Sequence, residues 1–301
     1  MSGSGLLILD KPSGSTSHDI VRGARRILKT RKVGHAGTLD PMATGVLVLG
    51  IGRATRLLGY ISGSDKAYSA TIRLGQSTIT DDAEGEVLSW ASEGQIEDLS
   101  FASVLDGMTL LTGRIEQVPS SVSAIKVDGQ RAYAKVRAGD EVELAPRWVT
   151  IEEFRATAHR FGDAYLDVDV EVTCSSGTYI RALARDLGSE LGVGGHLTSL
   201  RRTRVGPWAL GDAMSFDAFN SLHEGTDPYD CLVSVEEAAA RVFPSWVVGG
   251  DDAIFVRNGR RIEWSCTQTS SPVVAIFDES GAFLALAEQH GPTAKYLAVF
   301  V

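Results

Sequence analysis

Gly34-His35-Ala36-Gly37-Thr38-Leu39-Asp40-Pro41-Met42-Ala43-Thr44-Gly45 places three glycines, a proline and an aspartate within twelve residues. No regular helix or central strand tolerates that mixture, so the run reads as a shaped loop between elements. Shaped loops on a rigid scaffold are where sites sit. Asp40, directly before Pro41, is either the starter of an Asx turn or a site carboxylate; spacing alone leaves both readings open. Before the loop, Leu6–Leu9 reads as a strand. Ile20, Val21, Ala24, Ile27 and Leu28 then share one helical face, which Ser17 is placed to cap and from which the arginines point away. After the loop, Val46–Leu49 reads as a buried strand, and Ala67–Leu74 and Leu166–Val172 alternate as half-exposed strands do. Thr178–Leu191 has helical spacing, ended by Gly188, Gly192, Gly194 and Gly195 before His196–Arg204 turns extended. A break near Val242–Ser245 precedes three short strand-like stretches, Val273–Phe277, Phe283–Ala287 and Tyr296–Phe300, for which a small β-barrel is the simplest closure. These elements predict an α+β fold of mixed order, without an internal repeat.

The totals agree with that outline. At 301 residues and 44% apolar, the chain can bury one large core and carry a small second domain. Apolar runs such as Val46–Leu49 are far too short to span a bilayer, and the N-terminal stretch has no features of an export signal. Cys174, Cys231 and Cys266 are isolated and odd in number, which predicts cytoplasmic thiols. No ligand cluster and no nucleotide-binding signature appears, so neither metal nor cofactor is expected. The net charge of -9 hides an uneven distribution. Residues 1–60 hold nine basic residues against three acidic ones, while residues 61–110 hold two against nine. A basic segment on an otherwise acidic protein suits a phosphate-contacting face.

Beyond the aspartate loop, further blocks recur in a definite order. Leu9-Asp10-Lys11-Pro12-Ser13-Gly14 with Thr16-Ser17-His18 precedes it; Lys66-Ala67-Tyr68, Arg73-Leu74-Gly75 and Thr80-Asp81-Asp82-Ala83-Glu84-Gly85 follow. Next come Gln117-Val118-Pro119, Ser123-Ala124-Ile125-Lys126 and Gly129-Gln130-Arg131-Ala132-Tyr133. Cys174-Ser175-Ser176-Gly177-Thr178-Tyr179-Ile180-Arg181, Asp186-Leu187-Gly188 and Leu200-Arg201-Arg202-Thr203 complete the order. In sequence and order these blocks resemble the TruB family of pseudouridine synthases.

The resemblance implies a pseudouridine-synthase-type mixed or antiparallel sheet with flanking helices over residues 1–242. It also implies a thumb-like RNA-gripping insertion at 113–150, with Arg114, Lys126, Arg131, Lys135, Arg137 and Arg147, and a PUA-like β-barrel domain at 243–301. The implied activity is isomerisation of a uridine in the T-loop of tRNA, position 55, to pseudouridine, by a monomeric cytoplasmic enzyme without metal or cofactor. That reaction breaks the N1–C1′ bond, turns the uracil, joins C5 to C1′ and removes the C5 proton. One carboxylate can serve it, Asp40 in this family, by attack at C1′, attack at C6 or proton removal at C2′. A buried carboxylate that must stay ionised needs a fixed cation, and the family pattern supplies Arg181. Tyr68 is implied to stack on the flipped uracil and to be a candidate for taking the C5 proton. Tyr179 is implied to touch Asp40 or the substrate, Leu200 to wall the uracil pocket and His35 to enter the T-loop. Lys11, Lys126, Arg131, Arg201 and Arg202 are the expected phosphate contacts. A non-catalytic tRNA-binding or folding protein on the same scaffold, or a guide-RNA-dependent synthase subunit, are the alternatives.

Overall fold

The computed structural model describes residues 3–120, 126–127, 130–131, 144–222, 225–267 and 271–300, with backbone alone for 126–127 and 130–131. The chain forms two compact units, one of Asp40–Gly45 and Gly63–Val205, the other of Met1–Leu39, Val46–Ser62 and Gly206–Val301.

The first of these units is built on the Lys66–Leu74 strand, which pairs antiparallel with Leu166–Cys174 on one side and Gly195–Val205 on the other. Strict alternation buries Tyr68, Ala70, Ile72 and Leu74 from the central strand and Val168, Val170 and Val172 from its neighbour. Each such valine or isoleucine contributes about 1.5–3 kcal/mol by leaving water. The buried face takes the Ile180–Glu190 helix, whose Ile180, Ala182, Leu183, Ala184 and Leu187 are buried. Helix and sheet meet closely at Gly188, where a Cβ would lie 2.1 Å from the Gly195 nitrogen. Beyond Leu166–Cys174 the ladder continues through Arg147–Phe161 to Gly113–Gln117, all antiparallel. These last two strands are the base of the expected 113–150 insertion. Within it Lys126–Val127 pairs with Gln130–Arg131; the side chains of Lys126 and Arg131, and Lys135 and Arg137 altogether, lie outside the described residues. At the opposite edge Thr44–Gly45 pairs in parallel with Arg201–Arg202.

The second unit contains the Gly5–Lys11 strand, with Met214–Ser215 parallel and Val233–Ser234 antiparallel to it. Val33–His35 pairs antiparallel with Leu49–Ile51. The helix covers Ser17–Ile27 and buries Ile20, Val21 and Ala24 as its spacing predicts, but Thr16 caps it, not Ser17. Thr16 and Asp19 form a reciprocal capping box, with the Thr16 hydroxyl accepting from the Asp19 amide at 3.1 Å and the Asp19 carboxylate accepting from the Thr16 amide at 2.9 Å. Ser17 is thereby released to bond Leu39, at the threshold of the aspartate loop. Its hydroxyl accepts from the Leu39 amide at 2.8 Å and donates to the Leu39 carbonyl at 3.1 Å. The expected C-terminal barrel takes the form of a four-stranded sheet, in the order Ser245–Val248, Val273–Asp278, Phe283–His290 and Thr293–Val299. Its first pair is parallel and the others are hairpins, over a core that includes Trp246, Val256, Ile276 and Leu284. Among the described residues, no helix is long and apolar enough to cross a membrane.

Candidate active site

Asp40 opens a turn through its backbone. Its carbonyl accepts from the Ala43 amide at 3.1 Å, closing a turn over Pro41 and Met42. Its carboxylate turns to Arg181, whose Nε stands 3.0 Å from Oδ2 and whose Nη2 donates to Oδ1 at 3.2 Å. This is a two-point approach of a guanidinium edge to a carboxylate. The two side chains differ in access: Arg181 is 5% exposed and Asp40 36%. The cation is therefore buried behind a carboxylate that faces outward. The loop leaves the site through Gly45 at φ +102°, where a Cβ would lie 2.1 Å from the Arg202 carbonyl oxygen, so only glycine lets the strands meet there. Arg201 adds a bond from Nη1 to the Thr44 hydroxyl at 3.1 Å.

Arg181 has a second carboxylate. Its Nη1 donates to the Thr80 carbonyl at 2.9 Å and lies 3.4 Å from Oδ2 of Asp82, a side chain only 4% exposed. Asp82 is itself fixed, with Oδ1 accepting from the Thr80 hydroxyl at 2.5 Å and the Glu84 amide at 3.1 Å. Asp82 belongs to a quoted sequence block, yet nothing in the chain order says that a residue 99 positions before Arg181 will meet it. Gln117 is a second residue that sequence reasoning left without a role. Its buried amide accepts from the Tyr179 backbone amide at 2.9 Å and donates to the Tyr179 carbonyl at 3.1 Å, which locks the residue preceding the Ile180–Glu190 helix. The Tyr179 ring is half-buried, with the Arg147 guanidinium 5.6 Å from its centroid.

Tyr68 is brought to the same place. It is buried on the central strand, in register with Arg202. Burial pushes its phenol above the ordinary range; Arg202 opposes that shift, and the Asp40 charge adds to it. A neutral phenol is the result. Leu200, in register with Ala70, is buried on the same wall. Two of the expected phosphate contacts are buried. Arg202 is 1% exposed and belongs to the buried face behind Tyr68. Lys11, fully buried, donates to the Pro12 carbonyl at 2.8 Å and the Ser15 carbonyl at 2.7 Å, holding its own loop. His35 lies in the second unit on the Val33–His35 strand, with its ring edge-on to His18 at 5.7 Å. Among the described residues no group of His, Cys, Asp or Glu is arranged to hold a metal ion.

This fold recurs in solved structures. The chain of a solved Cbf5-Nop10-Gar1 complex shares the fold at a TM-score of 0.75 and 24% identity, covering 99% of this chain and 85% of that one. An H/ACA ribonucleoprotein bound to a substrate RNA containing 2′-deoxyuridine gives 0.73 and 22%, covering 99% of this chain and 85% of that one. In sequence, residues 25–180 match the TruB family pseudouridylate synthase N-terminal domain, and residues 181–238 match the tRNA pseudouridylate synthase B C-terminal domain. The chain belongs to the TruB family of pseudouridylate synthases. It is 53% identical to the tRNA pseudouridine synthase B of Rhodococcus jostii (strain RHA1), over 99% of this chain and 94% of that one. It is 54% identical to that of Cutibacterium acnes, over 94% and 92%.

Proposed function

We propose that this enzyme converts uridine 55 in the T-arm of tRNA to pseudouridine, with Asp40 as the catalytic carboxylate. The observation that carries the reading is the Asp40–Arg181 pair, in a chain about half identical to relatives named for tRNA pseudouridine formation. The target base sits inside a folded loop, so it must be flipped out before the carboxylate can reach it. Arg181 holds Asp40 where attack at C1′, attack at C6 or proton removal at C2′ can begin. The Tyr68 ring offers a stacking face that retains the detached uracil, and Leu200 walls the pocket beside it. Burial keeps the Tyr68 phenol protonated, which makes it a poor acceptor for the C5 proton and leaves stacking as its main part. Tyr179 lines the approach to Asp40, and His35 fills the space vacated in the T-loop. Arg201, with the Lys126 and Arg131 hairpin of the 113–150 insertion, contacts RNA phosphates. Residues 1–242 carry the chemistry and residues 243–301 form a PUA-like accessory domain, in a monomeric cytoplasmic enzyme that needs no metal. The non-catalytic and guide-dependent readings are not favoured by relatives that are named as tRNA synthases over nearly the whole chain.

The test is the purified protein on an unmodified tRNA transcript labelled with tritium at uridine C5, without guide RNA or added metal. Tritium release from one position per tRNA is expected. Asp40→Asn is expected to abolish release while tRNA binding persists. A wild type that releases nothing sinks the reading, and release only with a guide RNA would transfer it to the guide-dependent class.

A further inference from the structure

Arg181 is not the only arginine gripping the turn at Thr80–Asp82. Arg185, one helical turn later on the same helix face, places Nη1 3.3 Å from Oδ2 of Asp81. Consecutive residues of the turn are thus divided between two arginines: Arg181 takes the Thr80 carbonyl and the Asp82 carboxylate, and Arg185 takes Asp81 between them. The division requires an unusual backbone. Asp81 has φ +59°, in the left-handed region that residues other than glycine rarely enter. That conformation reverses the chain so that groups on either side of Asp81 both reach one guanidinium nitrogen. Asp81 is held in it by its carboxylate on Arg185, and by its carbonyl accepting from the Leu197 amide at 3.1 Å.

Arg185 is anchored in turn. Its Nη2 donates to the Val118 carbonyl at 2.7 Å, and Nε and Nη2 both bond Oδ1 of Asp186, at 2.9 and 2.7 Å. Val118 follows Gln117, whose amide brackets the Tyr179 backbone. Two adjacent residues at the base of the 113–150 insertion therefore hold the helix two residues before Arg181 and four residues after it.

We infer that Arg185 and Asp81 are positioning residues, a pair that sets the Thr80–Asp82 turn and through it the orientation of the Arg181 fork on Asp40. The pair touches neither Asp40 nor the reacting atoms, so its removal shows in turnover and not in substrate affinity. The inference rests on the reading of Asp40 and Arg181 given above. Single-turnover and steady-state rates on tRNA would be measured for Arg185→Met, Asp81→Asn, Arg181→Lys and the Arg185→Met/Arg181→Lys double variant, each with its thermal midpoint. Arg185→Met is expected to lower kcat on the order of tenfold to a hundredfold, with KM within about twofold of wild type. Asp81→Asn, which keeps the side-chain shape and its tolerance of positive φ, is expected to show a smaller loss of the same kind. In the Arg181→Lys background, Arg185→Met is expected to add little further loss, because the fork it positions is already gone. Unchanged kcat, a loss confined to KM, or full additivity with Arg181→Lys overturns the inference. If Arg185→Met does not fold, Asp81→Asn reads the same pair, and wild-type kcat in that variant overturns the inference equally. A wild type without turnover, or an Arg181→Lys variant with full turnover, refutes the underlying site reading instead.

Discussion

Lys66 is a buried cation two residues before Tyr68 on the same face of the central strand, and replacing it with methionine should make the protein more stable. The side chain is 7% exposed, and Nζ donates to the Ser64 carbonyl at 2.7 Å. Burial, assisted by the Arg202 charge, pushes its ammonium down from 10.5 to about 8. The folded state therefore binds the proton less tightly than the unfolded chain does. Between pH 8 and 10.5 the unfolded chain holds more protons, so stability rises with pH through that window, and below it the full penalty is felt. That gap corresponds to about 3 kcal/mol. Residual solvent contact reduces it to roughly 2 kcal/mol, and leaving the Ser64 carbonyl without its donor costs about 0.5–1 kcal/mol in return. Lys66→Met is then more stable by about 1 kcal/mol at pH 7, which is ~2–4 °C in Tm for a unit of this size. The assay is paired thermal or urea unfolding of wild type and variant at pH 7 and at pH 10.5. A gain at pH 7 that disappears at pH 10.5 is expected. A variant less stable at pH 7, or a difference independent of pH, would show that the Lys66 ammonium is compensated inside the fold and refute the reasoning.

Arg181→Lys keeps the charge but loses the fork, and turnover should fall by about a hundredfold with the fold intact. Arg181→Met goes further, because it strands the Asp82 carboxylate, 4% exposed, and should cost about 3–5 kcal/mol in denaturant unfolding at pH 7. Gly45→Ala pushes a methyl to 2.1 Å from the Arg202 carbonyl oxygen at φ +102°; a loss of at least ~2 kcal/mol and of most turnover is expected. The Cys174 thiol is pushed up to about 11, chiefly by burial, so alkylation at pH 8 should proceed at Cys266 and leave Cys174 unmodified until the protein unfolds, as peptide mass mapping would show.

Much of this was readable from the chain because local rules decided it. The glycines and proline of residues 34–45 exclude regular structure whatever surrounds them, and the alternation of Lys66–Leu74 and Leu166–Cys174 matches one buried face of a sheet. The helix cap was misplaced by one residue because Ser17 and Thr16 are both good caps, and only the pairing of Thr16 with Asp19 separates them. Parity also bears on the placing of one cation. Arg202 shares its face with Leu200 and falls on a buried side while Arg201 does not, whereas Gly5–Lys11 is buried on both faces and parity does not single out Lys11. What could not be read is the meeting of Asp82, Arg181 and Arg185. That depends on the Gly195–Val205 strand receiving the turn through Leu197 and Asp81, a contact between segments more than a hundred residues apart.

Under the proposed role of Asp40, the second carboxylate on Arg181 bears on how it can react. If Asp40 were the sole partner of a guanidinium 5% exposed, any step that neutralised the carboxylate by bonding it to substrate would leave a buried cation uncompensated. Such an orphan costs about 3–5 kcal/mol, added directly to the barrier. Asp82 and the Thr80 carbonyl remain on Arg181 throughout. Asp40 can therefore exchange its ionic contact for a bond to substrate while the arginine stays paired. The difference in exposure between the carboxylates, 36% for Asp40 and 4% for Asp82, suits the proposed parts: the buried one to compensate Arg181, and the open one to react.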